Sequence, residues 1–149
     1  TNYLQIKNGE TISGVTCHEI DDGIDTGRII DQLIYKIDIN DTSKDNYFKL
    51  MSSASKLFIN LFDQIISGNY STTEQKNSDA TYFSRKSINY KDEKINTDED
   101  LKAIHNQIRS LIFPPYQIPI VKIKEIIKSK LFDDHLILTD IDNKEHIYD

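Results

Sequence analysis

Two apolar, β-branched runs separated by a short acidic loop are the feature that most constrains the fold of this chain. The first run covers residues 13–20, and the second, RIIDQLIYKI, covers residues 28–37. Runs of this kind are typical of buried strands. Between them, Asp21-Asp22-Gly23 favours a turn, because carboxylates bond nearby backbone N–H groups and glycine adopts positive φ at little cost. The sequence therefore predicts two strands joined by a compact loop.

A second turn signal, Asp25-Thr26-Gly27, follows almost immediately. Two consecutive turn signals between buried strands predict a loop whose backbone groups face a cleft, since α/β sheets bind ligands beyond their strand ends. We expect this loop to form the wall of a pocket. Taken without any further information, Asp21 and Asp25 are more simply explained as ordinary turn residues.

A long helix is predicted from about Lys44 to Ser67, with candidates for its N-cap in residues 41–43 and a stop at Gly68-Asn69. Its apolar residues recur at helical spacing and form a stripe that we expect to cover the sheet. A polar linker over residues 70–79 follows and indicates the end of the sheet domain. The stripe consists of Tyr47, Leu50, Met51, Ala54, Leu57, Phe58, Leu61, Phe62, Ile65 and Ile66.

The last third of the chain predicts a second helix and several strands. An approximate capping box at residues 97–100 begins a helix that ends near Ile112, before Pro114-Pro115. Residues 118–126 and 135–148 alternate enough to be strands, and the second of these ranges reads as a hairpin that turns at residues 142–144. Short exposed strands of this kind often join subunits, so we expect a homodimer.

Three blocks of the sequence, in the same order, resemble signature blocks of the folate-dependent formyltransferases. This family includes enzymes that formylate glycinamide ribonucleotide, methionyl-tRNA and nucleotide-linked amino sugars. The blocks are residues 14–30 (GVTCHEIDDGIDTGRII), 75–86 (QKNSDATYFSRK) and 105–111 (HNQIRSL).

The resemblance implies an α/β fold. Residues 1–78 would be the C-terminal remnant of a formyltransferase Rossmann-like sheet domain. Residues 79–149 would be a small α+β accessory region that contains the β-hairpin.

The resemblance also implies a mechanism. Family members move a formyl group from 10-formyltetrahydrofolate directly to an amine, using an Asn-x-His pair and one aspartate, which Asp25 matches. The chemistry needs such groups, because the attacking amine loses a proton while an oxyanion develops on the formyl carbon. His18 is interpreted as a packed strand residue. By the same resemblance the pterin pocket is lined by the loop of Ile20, Asp21, Asp22, Gly23 and Ile24.

The Asn-x-His pair of the family does not occur in the sequence. The resemblance places this pair upstream of the first block, and Thr1 to Asn8 would be the helix just before that block. We therefore expect the chain to lack the N-terminal half of the enzyme, as a natural, proteolytic or cloned fragment. By itself such a chain should not transfer formyl groups.

Three basic residues are candidates for contact with an anionic substrate. Arg85 and Lys86 follow a strand-like segment, although a basic pair on a loop is usually only solvated. Arg109 lies on the second predicted helix. It is explained as well by an exposed or inter-domain salt bridge as by a contact to substrate or a partner subunit.

The net charge of -6 and the pI near 5.2 argue against a nucleic-acid surface, which needs clustered cations. Among the family's members, the acidic and short tail therefore favours a nucleotide-linked amino sugar as substrate, as in O-antigen or lipopolysaccharide biosynthesis. A fragment of methionyl-tRNA formyltransferase and a non-catalytic dimerisation module remain as alternatives.

Several other classes of function are disfavoured by composition. The single cysteine excludes an internal disulfide framework and suits the reducing cytoplasm, where we expect the protein to act. The four histidines are scattered, so we predict no metal site. No apolar run is long enough to predict a membrane span.

Overall fold

The computed structural model describes residues 2–76 and 93–149 and confirms the predicted α/β class. Two helices enclose a pair of strands in the first half of the described chain, and four strands follow the last helix. In chain order they are α1 (Asn2–Lys7), β1 (Ile12–His18), β2 (Ile29–Lys36), α2 (Ser43–Ser67), α3 (Leu101–Leu111), β3 (Ile120–Val121), β4 (Lys124–Leu131), β5 (Leu136–Asp140) and β6 (Glu145–Tyr148).

The chain forms two compact units. The first, here called the core unit, contains residues 2–11, 37–47 and 93–149 of the described chain, and the second, the hairpin unit, contains residues 12–36 and 48–76. The predicted domain boundary between residues 78 and 79 lies outside the described residues and stays a prediction.

Within the hairpin unit, β1 and β2 form the predicted antiparallel pair. The register runs from Ile12 opposite Lys36 to Cys17 opposite Asp31. It shifts between Cys17 and His18, because His18 lies opposite Ile29. A bulge of this kind bends the strand and changes the direction of the side chains next to it. Here the extra residue is Ile30 of β2, opposite the end of β1, where the acidic loop begins.

Helix α2 begins and ends where the sequence predicted. Thr42 and Asp45 form a reciprocal cap, in which the Asp45 N–H donates to Thr42 Oγ1 over 3.2 Å and the Thr42 N–H donates to the Asp45 carboxylate over 2.9 Å. At the other end, Gly68 has φ of 68°. This left-handed conformation is the usual helix stop and suits glycine.

The apolar stripe of α2 is only partly covered. Leu57 and Leu61 are buried, but Phe58 is 60% exposed and Ile66 is 70% exposed. The expectation that the whole stripe packs on a sheet is therefore wrong for the described part of the chain. The reason is that the apolar positions extend around more of the helix than the described residues cover.

The core unit holds the main hydrophobic core. Helix α3 begins at the cap residue Asp100, whose carboxylate accepts from the Ala103 N–H over 2.7 Å. It contacts α1 and the antiparallel sheet, which has the order β3-β4-β5-β6. The core consists of Ile104, Ile108, Ile112, Val121, Ile126, Leu136, Leu138 and Tyr148.

The tail hairpin is confirmed, and the strand character predicted over residues 118–126 is divided between β3 and the start of β4. Two residues, Lys122 and Ile123, have φ of 46° and 67° and connect β3 to β4 in a tight turn. Positive φ is rare for a β-branched residue, so nothing in the sequence marked this turn. The last hairpin, between β5 and β6, turns at Asn143 with φ of 62°, and asparagine tolerates this conformation.

Candidate active site

The loop that joins β1 to β2, residues 19–28, is held closed from within. At its base the Glu19 N–H donates to the Arg28 carbonyl over 2.9 Å. Asp21 Oδ1 accepts from the Thr26 hydroxyl over 2.6 Å and from the Gly23 N–H over 3.0 Å. These donors stabilise the ionised carboxylate and lower the pKa of Asp21. Asp21 therefore organises the loop.

Two glycines are required by close approaches within this loop. A Cβ at Gly27 would lie 1.7 Å from the Glu19 carbonyl oxygen, and a Cβ at Gly23 would lie 2.0 Å from Thr26 Oγ1. Both distances are far inside van der Waals contact. The two turn signals read from the sequence thus have a steric cause in the folded loop.

Asp25 lies between these glycines in an unusual conformation. Its φ is 55°, in the left-handed region that residues other than glycine enter at a cost, although aspartate is among those that tolerate it. Its side chain is 87% exposed. The conformation lifts the carboxylate out of the loop, where an incoming ligand could reach it.

The imidazole of His18 faces this carboxylate. Its Nε2 lies 3.7 Å from Asp25 Oδ1, and its Nδ1 lies 2.7 Å from the Glu19 carbonyl oxygen. Because a carbonyl only accepts, Nδ1 carries a hydrogen, and in the neutral ring Nε2 is then free to take a proton. The pair can therefore share or pass on a proton.

From the sequence, His18 is expected to pack in a strand, with only a weak chance of touching the site. The structure places it at the end of β1 and also brings its ring next to the Asp25 carboxylate. The register shift beside His18 has no signature in the sequence.

A segment from 70 to 76 flanks the loop and braces it. Ile29 and Thr73 exchange two backbone hydrogen bonds of 2.8 Å each. The Arg28 guanidinium donates to Thr72 Oγ1 over 2.7 Å and forms a salt bridge of 3.0 Å with Glu74. The Gln75 amide also reaches the loop. The sequence predicted a linker over residues 70–79, in which Gln75 begins the second block that resembles the family.

The five predicted cofactor-binding residues all lie on the loop, but their side chains differ in contacts and exposure. Asp21 is committed to the loop's own hydrogen bonds. Ile20 is 96% exposed and Ile24 is 82% exposed, so two apolar side chains project from the loop on either side of its turn. Exposed isoleucines on a loop mark a surface that an apolar ligand can cover.

The predicted substrate residues lie elsewhere. Arg85 and Lys86 fall outside the described residues. Arg109 is 1% exposed, within the core unit, and its Nη1 donates to the Asp41 carbonyl over 2.8 Å while its Nε donates to Asn106 over 2.9 Å. The expectation of an exposed residue is therefore wrong, because the guanidinium is buried and donates to backbone and amide oxygens. Burial lowers the pKa of Arg109 to about 10. A substrate contact of Arg109 stays a prediction.

His105, one turn before Arg109, belongs to the same buried arrangement. Its Nε2 donates to the Ile39 carbonyl over 2.8 Å, so its Nδ1 accepts from the Ser129 hydroxyl over 2.7 Å. Burial lowers the pKa of His105 to about 4. The two residues fix the chain segment that follows β2 and have a structural role.

Residues 2–76 and 93–149 contain neither a metal-site arrangement nor a membrane-crossing helix. No group of three or more His, Cys, Asp and Glu side chains in this part is arranged to hold a metal ion. None of the described helices has the length and apolarity that a membrane crossing requires.

Comparison with known proteins gives the same family for the hairpin region. A family model described as formyl transferase matches residues 3–62, which contain β1, the acidic loop and β2. The chain is 33% identical over 109 residues to a methionyl-tRNA formyltransferase of Macrococcus caseolyticus, covering 73% of this chain and 34% of that protein.

Two solved structures of sugar-modifying enzymes resemble almost the whole chain. An N-formyltransferase from Helicobacter canadensis, in complex with folinic acid and dTDP-3-aminofucose, matches with a TM-score of 0.83 and 40% identity over 99% of this chain and 59% of that one. WlaRD, a sugar 3-N-formyltransferase in the presence of dTDP and 5-N-formyl-tetrahydrofolate, matches with a TM-score of 0.83 and 41% identity over 99% of this chain and 58% of that one.

The chain thus spans about a third of the curated relative and a little under 60% of each of these two solved chains. The matched range, 3–62, contains the loop that carries Asp25, and the fold similarity extends over nearly all of the sequence. On these findings, residues 3–62 belong to the formyl transferase family.

Proposed function

We propose that this chain is part of an N-formyltransferase that moves a formyl group from 10-formyltetrahydrofolate to the amine of a nucleotide-linked amino sugar. The observation that carries the proposal is the acidic loop of residues 19–28. It lies in the range matched by the formyl transferase model and presents the Asp25 carboxylate 3.7 Å from the His18 imidazole. The two solved relatives named above bind both a folate and a dTDP ligand.

The geometry of Asp25 suits the proton transfer that this reaction needs. A bond forms between the amine nitrogen and the formyl carbon, the bond from that carbon to N10 of the folate breaks, and one proton moves from the amine to the folate nitrogen. Asp25 is exposed enough to touch the reacting groups, and His18 Nε2 is placed to take or return a proton. Asp25 is therefore the proposed catalytic residue.

The rest of the loop is proposed to receive the folate. Ile20 and Ile24 offer exposed apolar side chains, against which a flat pterin ring can lose contact with water. Backbone N–H and C=O groups over residues 20–24 supply the polar contacts that fix the orientation of such a ring. Asp22 lies at the same turn. The closed base of the loop keeps this surface in place before the ligand arrives.

We also propose that polypeptide beyond these 149 residues completes the site. The sequence contains no Asn-x-His pair, and within the described residues the β1–β2 sheet has only two strands. An isolated two-stranded sheet is only marginally stable in water. The exposed apolar side chains of α2, such as Phe58 and Phe62, support the same proposal, since patches of this kind usually have a partner. Without this additional polypeptide, we expect the chain to show no formyl transfer.

We further propose that the protein acts in the cytoplasm as a homodimer. Its subunits would meet at the tail strands, β3 to β6. Ile120, Ile141 and Ile147 on or next to these strands are exposed, at 64%, 51% and 71%. The single cysteine suits a reducing compartment. Sedimentation at several concentrations tests the oligomeric state, and a strictly monomeric chain would contradict this part.

The test of the function is a formyl-transfer assay with two forms of the protein. One form is the 149-residue chain alone, and the other is the chain joined behind the N-terminal segment of WlaRD, which is 41% identical over the shared region. We expect the joined form to formylate dTDP- or UDP-linked amino sugars and the chain alone to show no turnover. Binding of folinic acid, a stable formyl folate, is measured for both.

A second candidate is formylation of methionyl-tRNA, which is the activity that the name of the Macrococcus relative states. The higher identity and wider coverage of the sugar enzymes favour the sugar substrate. The same assay with charged initiator tRNA separates the two. Turnover with the tRNA and none with any amino sugar would replace the proposed substrate.

A further inference from the structure

We infer that Gln75 is a positioning residue for Asp25, an inference that rests on the proposed function. Gln75 lies about 50 residues after the acidic loop, at the end of the bracing segment. Its side-chain nitrogen donates to two backbone carbonyls of the loop, that of Asp25 over 3.0 Å and that of Gly27 over 2.6 Å. Gln75 thus binds the peptide unit that follows Asp25 and the peptide unit that follows Gly27.

The identity of the side chain follows from these partners. Both partners are carbonyl oxygens, which only accept, so the amide must present its NH₂ group with one hydrogen for each. A glutamate of the same length would place a carboxylate against the two oxygens and repel them. A methionine of similar size would fill the space but donate nothing. The arrangement therefore depends on the two donated hydrogens.

Asp25 needs such a restraint because its backbone is in the left-handed region. With φ of 55°, the residue lies outside the conformations that an aspartate in an open loop prefers. A strained residue keeps its conformation only when its surroundings hold it there. The bond from Gln75 to the Asp25 carbonyl is a direct restraint on the peptide unit that follows the strained Cα.

Gln75 is itself fixed well enough to act in this way. Two residues before it, Thr73 exchanges backbone hydrogen bonds with Ile29 at the start of β2, and one residue before it, Glu74 forms the salt bridge with Arg28. The donor therefore comes from a short ladder attached to the same strand that the loop enters. If the Gln75 amide is lost, the loop can relax around Asp25 and move the carboxylate away from the reacting amine.

The first experiment uses the 149-residue chain and follows amide hydrogen exchange over residues 19–28. Gln75→Met keeps the volume and removes both hydrogen bonds, and Lys76→Ala, the next side chain along, makes neither of them. We expect exchange in the loop to speed up several-fold in Gln75→Met and to remain unchanged in Lys76→Ala. Equal protection in Gln75→Met and the unchanged protein would overturn the inference.

The second experiment is a double-mutant cycle on the form that is active in the transfer assay. A residue that acts only through Asp25 has no effect once the Asp25 carboxylate is gone, whereas a general structural effect persists. We expect Gln75→Met to lower kcat by about 10-fold with KM for the amino sugar within about 2-fold, and to change kcat by less than about 2-fold in an Asp25→Asn background.

The outcomes separate this inference from the proposed function. Equal losses from Gln75→Met in both backgrounds, or no loss in either, would show that Gln75 does not act through Asp25. If no form of the protein transfers a formyl group, the proposed function fails, while hydrogen exchange on the chain alone still decides whether Gln75 holds the loop.

Discussion

The core unit and the hairpin unit of this chain differ in what their buried and exposed residues do. In the core unit, helix α3 packs on an antiparallel sheet, and its buried cation, Arg109, donates to backbone and amide oxygens. In the hairpin unit, a two-stranded sheet carries an exposed carboxylate, and apolar side chains on α2 and on the loop face solvent. Stability is concentrated in the first unit and the candidate chemistry in the second, as is usual for sites on loops.

The largest effect on stability is expected from a truncation in the core unit. Ile108 is completely buried among other core residues, so Ile108→Ala should lower the free energy of unfolding by about 2 to 5 kcal/mol through lost contacts and a cavity. Ile59→Ala, on the 71% exposed side of α2, is the matched control and should cost less than about 1 kcal/mol. Urea denaturation measures both. Similar losses at the two positions would remove the distinction between the units.

The largest effect on activity is expected from the loop. Asp25→Asn keeps the size and tolerates positive φ, but it cannot carry charge or accept a proton. In the active form we expect kcat to fall by about 100-fold or more, with an unfolding midpoint close to that of the unchanged protein, since the side chain is 87% exposed. Asp63→Asn, an exposed change on α2 in the same unit, is the control. An unimpaired rate in Asp25→Asn would take Asp25 out of the mechanism.

A pH dependence of stability should originate in the core unit. Burial holds the pKa of His105 near 4, against 6.5 for an exposed histidine, so the unfolded chain takes up a proton that the folded chain does not. The resulting stabilisation is complete above pH 6.5 and is lost as the pH falls toward 4, with the free energy of unfolding changing by at most about 1.4 kcal/mol per pH unit.

Thermal unfolding followed between pH 7.5 and 4.5 measures this slope. In His105→Gln, which has no titrating ring, this part of the slope should disappear, whatever the absolute stability of the variant. A slope that persists unchanged would assign the pH dependence to other groups.

The smallest effect is expected at the start of α3. Asp100 accepts from the Ala103 N–H, so Asp100→Ala leaves that donor without its cap and should cost about 1 kcal/mol. Asp98→Ala, two residues earlier and outside the helix, is the control and should change stability by less than about 0.5 kcal/mol. Chemical denaturation distinguishes the two. Equal losses would mean that general charge effects, and not the cap, stabilise this helix end.

Sequence patterns were sufficient for the features that depend on neighbouring residues. The β1–β2 pair, the bounds of α2 and the last hairpin with Asn143 in its turn all follow from local periodicity and turn chemistry. The formyl transferase family was also readable, because the motif around Asp25 occupies one short stretch of chain. Gly27 was recognised as a turn residue, although its near contact with Glu19 was not visible.

Tertiary structure alone decided what requires distant or sterically unusual partners. The turn at Lys122 and Ile123 has positive φ without a turn residue, and the burial of Arg109 depends on carbonyls about 70 residues away. The arrangement of the candidate active site also depends on partners that are distant in sequence.

The sequence by itself placed Asp25, the proposed catalytic residue, in the loop between the two strands. Only the folded chain showed that the His18 ring lies 3.7 Å from the Asp25 carboxylate and that the Gln75 amide donates to the Asp25 carbonyl. The physical reason is range: local preferences fix strands, helices and turns, whereas the position of a proton-transfer group depends on hydrogen bonds between segments far apart in sequence.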